Sequence, residues 1–168
     1  MNPVLDFFIV GSAAMVAVFV YVFGSFIWGA GYQPTPKSSL EQIPKYIDLR
    51  GKRFYDLGAG YGRVMKFALS NGADPVVGVE IDPVKVFWLR RHVKAPGAVV
   101  MKENIFNMSF KDADVVFAFL WPGFMAKIEA RVSAEMPKGS YFVSYDHTFP
   151  NLKPAIEDKK YNIHIYKF

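Results

Sequence analysis

Hydrophobic and polar positions divide the chain into one unbroken apolar stretch and a longer region where apolar runs alternate with amphipathic ones. From Phe7 to Ala30 the sequence reads FFIVGSAAMVAVFVYVFGSFIWGA, without a charged residue. At about 1.5 Å per residue a helix of this length reaches roughly 30 Å, the hydrocarbon thickness of a bilayer, so the stretch predicts a transmembrane helix. A buried core helix would carry a polar stripe. A cleaved secretory leader would open on basic residues, and residues 1–6 have none. Trp28 and Tyr32 fall where an aromatic belt would sit, and Lys37, Lys45, Arg50, Lys52 and Arg53 follow, whereas only Asp6 precedes. Basic flanks stay on the cytoplasmic side. The predicted topology is an N-terminus outside and a cytoplasmic C-terminal domain, in a bacterial or archaeal plasma membrane rather than a mitochondrial one, since no Arg-rich, Ser-rich transit peptide precedes the span.

Beyond the apolar stretch, GYQPTPKSSLEQ turns polar, and its two prolines around Thr35 force extended backbone. Ser38 or Ser39 is placed to cap a helix running to about Tyr46, with Glu41 in its first turn. The chain then reads as an anchor (1–31), a linker with the first helix of a cofactor lid (32–50), and a folded domain (51–168). Within that domain RFYDLG predicts a strand, GRVMKFALSNG a helix closed by Gly72, PVVGVEI a strand, and PVKVFWLRRHV a helix opened by Pro83. GAVVM and DVVFAFL predict two more strands, GFMAKIEARVSAEM a helix, and SYFVSYD and NIHIYKF two final strands. Strands alternating with helices imply an α/β fold, a mostly parallel Rossmann-like sheet with helices on both faces.

Composition narrows the chemistry. The chain has no cysteine, which excludes disulfides, thiolate metal sites and cysteine nucleophiles. Its three histidines are scattered, so no metal site is predicted. The net charge of +5 favours acidic partners, but without a long basic run nucleic acid is not expected. Lys85, Arg90, Arg91 and Lys94 form a basic cluster on the second helix, read as a solvated face, with anionic lipid headgroups as the candidate if it docks anything.

The chemistry concentrates in YDLGAGYGR, at the C-terminal end of the first strand and the start of the following helix, the crevice where open α/β sheets bind nucleotide-like ligands. Gly58 and Gly60 let the chain turn tightly and a ligand touch backbone, and Gly62 lets the helix pack close to the strand. Asp56 stands just before these glycines, and Glu80 ends the second strand, where an acid can accept both hydroxyls of a ribose. An acid at Asp56 would repel a pyrophosphate and suits a cationic ligand. S-adenosyl-L-methionine meets these demands, with its amino group near Asp56, its ribose on Glu80 and its adenine beside Asn104 and Ile105.

Taken together, YDLGAGYGR, VVGVEIDP, KENIF and DVVFAFLWP resemble the motifs of class I, seven-stranded S-adenosylmethionine-dependent methyltransferases. YQPTP, DLGAGYGR and SYDHTFP are similar to the small archaeal protein-lysine methyltransferases. They are similar too to the membrane-tethered mitochondrial enzymes that modify the adenine nucleotide translocase and the ATP synthase c-subunit. The resemblance implies that Tyr32, Pro34 and Thr35 close over the cofactor and that Asp56, Gly58 and Gly60 hold its methionine moiety. It places Glu80 on the ribose and Asn104, where many relatives have Asp, beside adenine. It also implies a lysine channel from Phe119, Trp121 and Pro122. Tyr145, Asp146 and His147 follow the fifth strand on the same edge, where they are placed to orient the amine or accept a proton through water.

The function expected is membrane-anchored transfer of a methyl group to a lysine ε-amine of a membrane-associated protein. Methylation of a membrane-dissolved small molecule, such as a quinone precursor or lipid headgroup, and a non-catalytic cofactor-binding scaffold remain as alternatives. The oligomeric state is open.

Overall fold

A computed structural model describes the backbone of residues 3–28 and 33–168, and within the first helix the side chains of residues 6–20. The chain forms two compact units, Met1–Gln33 and Pro34–Phe168.

In the first unit, α1 spans Pro3–Trp28 with Asp6 in its first turn. Phe7, Phe8, Ile9, Val10, Met15, Val16, Val18, Phe19 and Val20 are all exposed. Among the described residues no helix is long and apolar enough to cross a membrane. The membrane helix predicted over 7–30 is therefore not borne out, and residues 29 and 30 of that stretch lie outside the described residues. Tyr32 and the side chain of Trp28 lie outside the described residues.

The second unit is built on a seven-stranded sheet in the order β3-β2-β1-β4-β5-β7-β6. Its strands are β1 (Phe54–Leu57), β2 (Val76–Glu80), β3 (Ala98–Lys102), β4 (Val115–Ala118), β5 (Tyr141–Tyr145), β6 (Ile156–Asp158) and β7 (Ile163–Lys167). The first five pair in parallel, and β7 runs antiparallel to both β5 and β6. Every residue of β1, β2 and β4 is buried, as central parallel strands covered on both faces require.

The helices are α2 (Lys37–Leu40), α3 (Arg63–Ser70), α4 (Pro83–His92) and α5 (Pro122–Glu135). Alternate strand residues enter different cores. Phe54, Val76 and Val115 pack with Met65 and Ala68 of α3, Leu89 of α4 and Leu40 of α2. Tyr55, Val77 and Val116 pack on the opposite face with Met125, Ile128 and Val132 of α5. Asp82 caps α4 by accepting the N–H groups of Val84 at 2.8 Å and Lys85 at 3.3 Å, ahead of Pro83 at its first position.

Two elements differ from the expectation. The helix predicted from Ser38 to Tyr46 is the short α2 followed by a 3-10 turn over Ile43–Lys45, and its cap position is Pro36, not a serine. Pro44 has no N–H to continue an α-helix, which breaks the element. The other is β6, which the sequence pattern missed because three residues carry no visible alternation; it completes the seventh strand by pairing with β7.

Candidate active site

The turn after β1 holds Gly58, Gly60 and Gly62 at φ of 80°, 55° and 77°, left-handed values that cost a side-chain-bearing residue about 1–2 kcal/mol each. Their roles differ. A Cβ on Gly58 would have Leu120 Cδ2 as its nearest neighbour, at 3.9 Å, so this glycine faces open space beside the segment that follows β4. A Cβ on Gly62 would stand 2.8 Å from both Leu89 Cδ2 and Val93 Cγ2. Gly62 therefore admits the flank of α4, which corrects the expectation that it serves packing of helix on strand. That close helix–strand approach belongs to Gly78 of β2, where a Cβ would meet Met65 Sδ at 2.2 Å.

Glu80, at the end of β2, accepts the N–H of Gly60 at 2.9 Å on Oε2 and those of Ile81 and Asp82 at 2.9 and 3.0 Å on Oε1. One carboxylate thus fixes the glycine turn to the end of β2 through three backbone N–H groups. Asp56 is buried, and its Oδ2 has no hydrogen-bond partner among the described residues. Burial, and secondly the charge of Glu80, push its carboxyl from 3.8 up to about 7. A buried acid with an unpartnered oxygen beside a glycine turn fits a ligand that brings its own cation, as the amino group of the expected cofactor does.

The PTP segment meets this site from one side. Thr35 is buried, Pro34 is exposed, and the Thr35 carbonyl accepts from Arg63 Nη1 at 3.1 Å, tying the segment to the first residue of α3. Asn104 caps the 3-10 turn Ile105–Asn107 through Oδ1, which accepts the Phe106 N–H at 3.0 Å. Ile105 packs, partly buried, against the α5-side core.

At the ends of β4 and β5 aromatic side chains converge. The Phe119 ring stands edge-on to Tyr145, centroids 4.8 Å apart, and 6.4 Å from His147. Trp121 lies nearly parallel to His147 at 6.1 Å and is 50% exposed. Pro122, also exposed, opens α5. Asp146 holds φ of 70° and its Oδ2 lies 3.6 Å from His147 Nε2. The structure therefore brings Phe119, Trp121, Tyr145 and His147 into one group, joined to the glycine turn where Leu120 approaches Gly58.

Sequence reasoning missed the side chains that hold these loops. Buried Glu129 of α5 accepts the N–H groups of Asn151 and Leu152 at 2.8 and 2.7 Å and Asn151 Nδ2 at 2.9 Å. Arg131 donates to the carbonyls of Phe106 and Met108, and Glu135 accepts the Phe110 N–H at 2.9 Å. One helix thus braces both the loop after β3 and the loop after β5. The available signal was an acid in the buried stripe Met125, Ile128, Glu129 and Val132. Among the described residues no cluster of metal-ligating side chains is present.

A sequence model for the ANTKMT methyltransferase domain matches residues 56–156. The adenine nucleotide translocase lysine N-methyltransferase of Mus musculus is 27% identical over 162 residues, covering 88% of this chain and 71% of that protein. A protein-lysine N-methyltransferase of Saccharolobus islandicus is 24% identical over 154 residues, covering 86% and 96%. Among solved structures, an RNA methyltransferase from Salinibacter ruber in complex with S-adenosyl-L-homocysteine aligns with a TM-score of 0.72 and 26% identity, over 81% of this chain and 92% of that one.

Proposed function

The chain belongs to the ANTKMT methyltransferase domain family and is an S-adenosylmethionine-dependent methyltransferase. From that premise we propose that it methylates a lysine ε-amine of a membrane-associated protein. The carrying observation is the group Phe119, Trp121, Tyr145 and His147 at the strand ends, opening beside the glycine turn.

Asp56, Gly58, Gly60 and Glu80 would hold the methionine and ribose portions of the cofactor, Asn104 and Ile105 the adenine, and Pro34 and Thr35 would close over it. When bound, the cofactor supplies a methyl group activated by its sulfonium. The chain's residues would present a neutral lysine nitrogen to that methyl group and let the proton given up by the amine leave to water.

The chain's part in this is alignment and desolvation. A lysine with its ordinary pKa near 10.4 is almost fully protonated at neutral pH. Apolar walls at Phe119 and Trp121 disfavour that charged form, and their ring faces attract the methylated ammonium. Asp146 and His147 stand at the mouth, where the imidazole could take the proton through water. Fixation to a membrane through the apolar α1, with the second unit in the cytoplasm, is part of the same proposal; it would concentrate the enzyme near membrane proteins.

The test is incubation of the full chain with methyl-labelled S-adenosylmethionine and native membranes, followed by fractionation. Label recovered as methyl-lysine supports the proposal. Label in the lipid extract or in RNA, with none in protein, overturns it.

A further inference from the structure

α4 buries Val86, Leu89 and, just beyond it, Val93. On the helix this places Val84, Phe87 and Arg91 on the opposite, outward face, and Lys94, exposed, follows just beyond its end. Phe87 is 68% and Val84 51% exposed, and Ile81 immediately upstream is also exposed. An outward stripe that begins with two apolar side chains and ends with two cations is not an ordinary solvated face.

The charge on this face is of one sign. α4 contains no Asp or Glu and closes on Arg90, Arg91 and His92. Lys85 is paired with Asp82 at 3.7 Å, and Arg90 reaches the Val100 carbonyl at 3.4 Å, so those two members of the sequence cluster are engaged within the fold. Arg91 and Lys94 are exposed and have no ion-pair partner among the described residues.

We propose that the outward face of α4, through Val84, Phe87 and Arg91, with Lys94 just beyond its end, docks the methyltransferase domain on an anionic lipid surface. Cations complement acidic headgroups, while exposed Phe and Val have no counterpart on a phosphate backbone but enter the acyl boundary of a bilayer. Val84 and Ile81 lie at the end of α4 nearest the carboxyl ends of the strands, so docking this flank brings the rim of the active site to the level of the headgroups. The inference rests on the proposed membrane substrate and would hold the domain flat beside it.

Because the chain has no cysteine, one introduced cysteine carries a unique probe. The full chain bearing Val84→Cys is labelled with an environment-sensitive fluorophore and reconstituted with vesicles of phosphatidylcholine alone or with phosphatidylserine, each with or without brominated acyl chains. Lys159→Cys, whose native side chain is 85% exposed, is the reference site. The docked face predicts a blue shift and bromine quenching at position 84 only with phosphatidylserine, absent at position 159. Arg91→Gln with Lys94→Gln should lower the apparent binding constant of the quenched state by about fivefold for each basic residue removed.

Vesicle flotation separates the two readings. Flotation with an unquenched position 84 overturns the docking and leaves the anchoring of α1 standing. Flotation and quenching only with phosphatidylserine support docking and remove the anchor. Equal quenching in neutral vesicles, or a probe response to polyglutamate or RNA but not to vesicles, overturns the proposal.

Discussion

The backbone N–H of Gly60 donates to Oε2 of Glu80 at 2.9 Å, so the glycine turn and the end of β2 act as one hydrogen-bonded unit. Glu80→Gln keeps the shape but sets an amide NH2 where a carboxylate oxygen accepts. Loss of one bond to a charged acceptor costs about 1.5–3 kcal/mol, or about 10- to 100-fold in affinity. S-adenosyl-L-homocysteine should bind that much more weakly by titration calorimetry. Unchanged binding would restrict Glu80 to a role in folding.

Asp56 makes the stability of the cofactor-free protein fall with pH. Its carboxyl is raised from 3.8 to about 7 in the folded chain, so between these values the folded state holds a proton that the unfolded state releases. Stability is full below the lower value and lost as pH rises through the upper one. Thermal melts from about pH 4 to about pH 8 should therefore show Tm declining, and Asp56→Asn should flatten that slope. A variant retaining the full slope would assign it to another group.

Trp121 projects from the strand end rather than into a core, being 50% exposed. Trp121→Ala should lower kcat/KM for the protein acceptor about tenfold, from the loss of about 1–2 kcal/mol of ring–cation contact. Affinity for S-adenosyl-L-homocysteine should stay the same. A joint loss of both would place Trp121 on the cofactor.

Glu129 braces the loop that carries His147 by accepting three N–H groups from Asn151 and Leu152. Glu129→Gln leaves a buried donor facing donors, with an expected loss of about 1–3 kcal/mol in stability. Turnover should fall while the KM for cofactor holds, because the loop after β3 is braced separately by Arg131.

Gly62→Ala tests packing without touching the ligand side of the turn. The new methyl would meet Leu89 and Val93 at 2.8 Å with φ at 77°, so overpacking and left-handed strain together predict destabilisation of about 2–4 kcal/mol. Gly58→Ala carries the conformational strain alone and should be milder in a denaturant titration.

The alternation of short apolar runs with amphipathic ones was enough to place β1 to β5, β7 and the helices α3, α4 and α5, because each run is long enough to show its period. The glycine turn, Asp56 and Glu80 were legible for a different reason. A turn that needs left-handed backbone and an acid at a strand end leave a mark in local sequence.

What the sequence did not contain was distance. β6 is three residues long and exists only because β7 offers it an edge. Pro44, a single breaker, decided that the segment before β1 forms a short helix and a 3-10 turn. The partners of Glu80 lie within two residues on one side and across the sheet on the other, and only the parallel register of β1 with β2 brings Gly60 to its carboxylate. The convergence of Phe119, Trp121, Tyr145 and His147 follows likewise from β4 and β5 lying side by side. The residue types and the local backbone were thus set by the sequence alone, since they depend on neighbours a few positions away. Which of them meet, and that α5 holds two loops at once, was decided by tertiary structure, since strand order and side-chain contact are properties of the closed sheet and of no single segment.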